Sequence, residues 1–207
     1  PLRRNNVTAN TITVCSSDKA STINTYSNNS PLRGYKYMFG EGGLRIPLII
    51  SWPGHLPPGR KSQGLVSAMD IFPTLAALIG AEAPENLDGK SVQALLAWDT
   101  TVLPAPPHQE LCWSDGKKDW VIRRGAWKLV NSSGWIHENY QLKNGIAKPA
   151  PNYNYPAGLL LFNLASDLAE SKDLAAQHPG KVAELTAAYK KWRSKMGKPV
   201  PGTKRPK

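Results

Sequence analysis

Lys36 stands in the run from Asn28 to Gly54, NNSPLRGYKYMFGEGGLRIPLIISWPG, where charged residues alternate with glycines. A lysine held on a glycine-flanked loop offers a compact positive charge to the oxygens of a tetrahedral anion. Such a charge stabilises the negative oxygens that develop in an in-line displacement. Arg33, Glu41 and Arg45 occupy the same loop, together with Gly40, Gly42 and Gly43. Glycine belongs where backbone turns with positive φ or passes close to another group. The loop then enters the apolar run Ile46–Ile50 and closes on Trp52-Pro53-Gly54. A strand fed by such a loop is how open α/β sheets present charged groups at a ligand crevice.

Asp18 is the second residue of chemical interest. It lies in Ser16-Ser17-Asp18-Lys19-Ala20, after the β-branched run Thr11–Cys15, which reads as a short strand. A carboxylate at the end of a strand suits a hard cation such as Ca²⁺ or Mg²⁺, and the same residue also suits an Asx-type turn. Lys19 beside it carries donors only and repels a cation. The four histidines, at 55, 108, 137 and 178, stand singly and read as surface or internally satisfied groups. Neither G-x-S-x-G, H-E-x-x-H nor a phosphate-binding Walker loop occurs. Cys15 and Cys112 form no C-x-x-C pair and read as small buried hydrophobes; a disulfide and the redox compartment stay open.

These runs, in this order, resemble the sulfatase family, which carries an S-D-N-G turn, then P-L-R-G-x-K, then E-G-G-x-R-x-P before a strand ending in W-P-G. Further stretches match as scaffold signatures: Met69-Asp70-Ile71-Phe72-Pro73-Thr74, Leu87-Asp88-Gly89-Lys90-Ser91, Gly125-Ala126-Trp127-Lys128-Leu129, and Leu161-Phe162-Asn163-Leu164 with Asp167 and Glu170. The resemblance runs from about Thr11 to Met196. It implies an α/β, alkaline-phosphatase-like fold, with the C-terminal part of the main sheet followed by a small antiparallel subdomain and a C-terminal helix.

The resemblance also implies roles. Lys36 falls on the lysine that contacts the sulfate group, so it is both a catalytic and a substrate-binding candidate. Asp18 falls on a ligand of a divalent cation, Ca²⁺ or else Mg²⁺. Lys19 occupies the position of the usual Asn ligand and Ala20 that of a Gly. The cation site is therefore degenerate, or is completed by a neighbour such as Asn24 or Asn28, or reflects a change in the gene. Glu41 and Arg45 are expected to form an internal ion pair bracing the loop, with Arg33 serving the same end. The family nucleophile is a formylglycine made within C-x-P-x-R in the N-terminal half. Neither Cys15-Ser16-Ser17 nor Cys112-Trp113-Ser114 fits that signature. The expectation is a C-terminal portion holding one wall of the site, inactive alone and partnered by a missing N-terminal half.

Around these residues, 207 residues with 41% hydrophobic content suffice for a packed core. The near-continuous apolar run Ile46–Ser51 reads as a strand covered on both faces in a parallel sheet. Asp70–Ile79 reads as a helix with Asp70 as N-cap and Gly80 beyond its end, and a short helix follows at Val92–Leu96. Strands are expected at Glu110–Trp113, Trp120–Arg123, Trp127–Val130 and Leu159–Asn163, with a hairpin turn at Arg124–Ala126 and a long irregular loop over Asn131–Ala157. Val182, Leu185, Tyr189, Trp192 and Met196 recur at steps of three and four, an apolar helical seam. The division expected is 1–101 for the catalytic α/β part, 102–197 for the subdomain, and 198–207 for a basic, disordered tail.

Net charge is +11 and favours anionic partners, whether polyanionic glycans, nucleic acid or an acidic membrane surface; sulfated carbohydrate is the partner that the resemblance implies and that the charge would suit. No nucleic-acid motif accompanies it, and no apolar run reaches the length of a membrane span. The family resemblance implies a periplasmic, secreted or lysosomal setting. Two other readings fit the same residues: a phosphate or phosphonate ester hydrolase of the same superfamily, and a non-catalytic polyanion-binding remnant, for which Lys19 speaks.

Overall fold

A computed structural model of the chain describes residues 2, 4–18, 29–96, 104–135 and 155–197. Two compact units emerge, one built from residues 1–18 and 46–110, the other from 19–45 and 111–207. The expected division at residue 101 followed chain order. The compact units cut across it, because the segment carrying Lys36 packs with the C-terminal sheet. The basic tail at 198–207 lies outside the described residues.

In the first unit, β1 (Thr13–Ser16) pairs with β2 (Leu48–Ser51) in antiparallel register, Thr13 opposite Ser51 and Ser16 opposite Leu48. This corrects the expectation of a parallel strand covered on both faces. Within the unit, β2 alternates half-buried and exposed positions, and Ile49 points out at 60% exposure. Cys15, expected inside, is exposed on β1.

A 3₁₀ turn, Ala68–Asp70, leads into α2 (Ile71–Leu78), and α3 follows at Gln93–Leu96. Asp70, expected as the N-cap of α2, gives that helix no side-chain cap hydrogen bond; it closes a capping box with Ser67 on the preceding 3₁₀ turn. Its buried carboxylate accepts hydrogen bonds from the backbone N–H of Ser67 (2.7 Å) and of Lys90 (2.8 Å), and His108 Nε2 lies 2.7 Å away. Thr74 donates its hydroxyl to the Asp70 carbonyl and accepts the Val92 N–H at 2.9 Å. A Cβ on Gly89 would stand 2.0 Å from the Met69 carbonyl oxygen, so only glycine lets this strand of backbone pass.

The second unit is built on a sheet of order β3-β4-β5-β6, with β3 at Glu110–Ser114, β4 at Trp120–Arg124, β5 at Trp127–Trp135 and β6 at Tyr155–Asn163. The β4–β5 and β5–β6 pairs are antiparallel. Side chains alternate across a strand, so each residue chooses a face. Val121, Val130, Leu160 and Phe162 pack with Tyr35 and Met38 of the segment before β2. Ile122, Leu129 and Leu161 face the other way, onto Leu185 and Tyr189 of α4 (Pro179–Lys195). Trp120 stacks on Tyr189 with ring centroids 4.0 Å apart. The seam expected for this helix is found, except that Met196 falls past its end and is exposed.

The irregular loop expected over Asn131–Ala157 begins and ends as strand. Ser132 pairs with Gly158 and Ser133 with Ala157. These small residues carry little strand propensity. What holds them is Asp119, whose carboxylate accepts the Ser133 N–H at 2.7 Å and the Ser133 hydroxyl at 3.0 Å.

Candidate active-site loop

The loop around Lys36 is pinned residue by residue. Asn29 Nδ2 donates to the carbonyls of Gly34 and Gly42, both at 3.0 Å, and the Gly42 N–H donates to Arg33 O at 2.7 Å. Gly34 has φ +85°, which only glycine adopts without strain. A Cβ on Gly42 would meet Gly34 O at 2.3 Å, and one on Gly43 would meet Met38 O at 2.1 Å. These glycines are required because the loop crosses its own backbone.

A single helical turn, α1 (Glu41–Leu44), follows. Its first N–H, on Glu41, donates to Glu170 Oε2 at 2.7 Å. The Glu41 carboxylate meets Lys128 Nζ at 3.0 Å and Arg123 at 3.1 Å, and the same ammonium lies 2.8 Å from Glu170 Oε1. Lys128 and Glu170 have no solvent exposure and Glu41 nearly none. Arg33 donates to the Glu170 carbonyl and lies over the Phe162 ring. Burial alone would push the Glu41 carboxyl up. The charges of Lys128, Arg123 and, more weakly, Arg45 outweigh it and hold the group below its ordinary value.

The expected bracing of the loop is therefore present with different partners. Glu41 pairs with Lys128 and Arg123, and Arg45 reaches it only through its field and through its backbone N–H on Glu41 O. Sequence reasoning treated Lys128 and Glu170 as scaffold and assigned them no partner. Lys128 carried a signal: in the alternation of β5 it falls on the same inward face as Val130, and a charge on an inward face demands a partner. Glu170 and Arg123 carried none.

Lys36 itself occupies the tip of a turn. The Met38 N–H donates to Tyr35 O at 3.0 Å, closing residues 35–38 with Lys36 and Tyr37 in the middle. Tyr35 and Met38 are buried, Lys36 is half-buried, and its Nζ stands 4.8 Å from the centre of the Tyr37 ring. The lysine thus sits half-buried on an anchored turn, with its ammonium beside the Tyr37 ring.

Asp18 lies two residues beyond β1 and is exposed. It belongs to the first compact unit and Lys36 to the second. A single carboxylate supplies at most two oxygens, and among the described residues no cluster of three His, Cys, Asp or Glu side chains forms a metal site. Asp18 fits a cation only as one member of a larger ligand set. Lys19, Asn24, Asn28 and His137 lie outside the described residues. His108 is internally satisfied by Asp70, His55 stacks on Trp52 at 3.9 Å, and His178 meets the Trp127 ring edge-on.

Comparison with known proteins meets this geometry. The sulfatase family model matches residues 1–81. A sulfatase of Formosa agariphila is 31% identical over 180 residues, covering 84% of this chain and 30% of that protein. The N-acetylgalactosamine-6-O-sulfatase of Bacteroides thetaiotaomicron is 31% identical over 195 residues, covering 87% of this chain and 36% of that protein. A solved Bacteroides thetaiotaomicron structure, from work on the metabolism of multiple glycosaminoglycans, superposes with a TM-score of 0.72 at 27% identity, over 93% of this chain and 41% of its own. The fold is that of an α/β protein of the alkaline-phosphatase-like class. The chain belongs to the sulfatase family, whose members hydrolyse sulfate esters, and corresponds to their C-terminal portion. It spans about a third of the length of these curated relatives.

Proposed function

We propose that this chain supplies the anion-recognition wall of a sulfate-ester hydrolase, with Lys36 as the group that takes the sulfuryl oxygens. The observation that supports this most is the anchored turn, closed by the Met38 N–H on Tyr35 O at 3.0 Å, which holds Lys36 in a fixed place on the loop. An ammonium so placed neutralises the negative oxygens of the bound ester and of the transition state. Asp18 contributes one ligand to a divalent cation, Ca²⁺ or Mg²⁺, as one member of a set shared with acidic residues of an N-terminal half, with Asn24 or Asn28 as the neighbours that could stand in for the usual Asn. Such a cation, when bound, polarises the sulfate and activates the nucleophile. The nucleophile is a formylglycine on an N-terminal half, so the 207 residues alone do not turn over. Sulfated carbohydrate is the substrate class, which the net charge of +11 suits. The names of the Bacteroides relative and of the glycosaminoglycan work point to the same class. An exported or lysosomal setting goes with it; among the described residues no helix is long and apolar enough to cross a membrane.

Titration of the chain with sodium sulfate, followed by amide chemical shifts, tests this reading. Shifts centred on residues 34–38, lost in Lys36→Ala, are expected. Sulfate binding that ignores Lys36 overturns it, and hydrolysis of an aryl sulfate by the purified chain overturns the assignment of the nucleophile. A polyanion-binding remnant is the second reading, carried by the exposed Lys190, Lys191 and Lys195 of α4. Heparin binding with a steep salt dependence that survives Lys36→Ala would favour it.

A further inference from the structure

Tyr37 combines two features that rarely occur together. Its φ is +78°, in the left-handed region that the third position of a type II turn requires and that glycine normally fills. Its side chain is 78% exposed, more than any other large hydrophobic residue described. Burial therefore does not account for a bulky ring at this position, and the backbone there is strained by carrying one. Strain of this kind persists where the surrounding structure over-determines it, and the buried flanking residues Tyr35 and Met38 do so here. The ring also lies beside the Lys36 ammonium, whose Nζ is 4.8 Å from its centre.

We propose that Tyr37 is a substrate-binding, specificity-determining residue: its ring is the surface on which the pyranose bearing the sulfate stacks while Lys36 holds the sulfuryl oxygens. This rests on the reading of Lys36 given above. A pyranose presents an apolar C–H face bounded by hydroxyls, and a tyrosine ring matches it with an apolar body and a wet phenolic edge. One turn then reads both halves of the ligand, the anion by charge and the sugar by shape. The rigid turn fixes the distance between the two contacts before the ligand arrives.

The test compares two probes, galactose 6-sulfate and inorganic sulfate, by chemical-shift titration of the 207-residue chain. The parent chain is expected to prefer the sulfated sugar by about tenfold, the value of one aromatic contact, with the Tyr37 ring resonances moving only for the sugar. Tyr37→Gly relieves the backbone and removes the ring, and it should abolish the preference. Tyr37→Asn, which tolerates the same φ, should do likewise, whereas Tyr37→Phe and Tyr37→Trp should retain it. A preference that survives in the Gly and Asn variants, or that is absent from the parent chain, overturns the stacking role while leaving Lys36 in place. Lys36→Ala should weaken both probes. If neither probe binds through Lys36, the reading of the loop fails and this inference with it.

Discussion

Lys128 Nζ lies 3.0 Å from the carboxylate of Glu41, a residue 87 positions earlier in the chain, and solvent reaches neither to any extent. The contact joins the middle of a β-sheet to the first turn of a one-turn helix. Through Glu170, which meets the same ammonium at 2.8 Å and accepts the Glu41 N–H, it closes a ring of buried charge. Four residues at most make the helix, too few to stand alone in water. Its position is therefore set by this ionic anchor and by the close backbone crossing at Gly42 and Gly43.

Removing the cation should be costly. Lys128→Met leaves two buried carboxylates facing each other and is expected to destabilise the chain by about 3–5 kcal/mol, read from equilibrium urea unfolding. Lys36→Ala, at a half-buried turn tip, should cost no more than about 0.5 kcal/mol. Equal losses at the two lysines would show that the buried ion pairs of Lys128 add nothing to stability.

Acid should loosen the loop in a defined direction. The Glu41 carboxyl is held below its ordinary value of 4.5 in the folded chain. Its contribution is complete above that value and disappears as pH falls through the lower, folded value. The parent chain should lose stability more steeply between about pH 5 and pH 3 than Glu41→Gln, which lacks the titrating group. Parallel stability curves for the two over that window would contradict the assignment.

Asp70 gathers Ser67, Lys90 and His108 around one buried carboxylate. Asp70→Ala strands the part-buried N–H groups of Ser67 and Lys90 and the buried His108 ring at once. At about 1–3 kcal/mol for each unsatisfied group, a loss of more than about 2 kcal/mol is expected in the first unit, with faster amide exchange at Lys90. Unchanged exchange at Lys90 would show that the hydrogen bond contributes nothing.

Gly42→Ala and Gly43→Ala each place a methyl carbon near 2 Å from a carbonyl oxygen. Neither neighbour is a side chain that can rotate away. Both variants should destabilise by about 2 kcal/mol or more, whereas Gly59→Ala meets no atom within 4 Å and is opposed only by its positive φ. Measured melting temperatures that rank Gly59→Ala as the worst of the three would reverse this reasoning.

The strands of the second unit and the long helix were legible in the sequence because local pattern decides them. Two-residue alternation in Val121–Ile122 and Leu160–Phe162 sends side chains to two separate cores, and steps of three and four set Leu185 and Tyr189 on one seam. The pairing of β2 was not legible, since an apolar run such as Leu48–Ile50 reads alike in a parallel or an antiparallel partnership. The ends of β5 and β6 were missed because Ser132, Ser133 and Gly158 become strand through cross-strand pairing and the Asp119 hydrogen bond rather than through propensity. At the candidate site, glycine spacing marked the loop and its resemblance marked Lys36. Lys128 signalled by its inward place on β5 that it needed a partner, but which residue that is was not legible, since Glu41 lies 87 positions away in the chain.

The segment that carries Lys36 is one layer of a core, since Tyr35 and Met38 pack directly on Val121, Val130 and Phe162. Conformational freedom in that turn is thus surrendered when the chain folds. A ligand engaging Lys36 would meet a turn already in register, and its binding free energy would not be diminished by any need to order that turn.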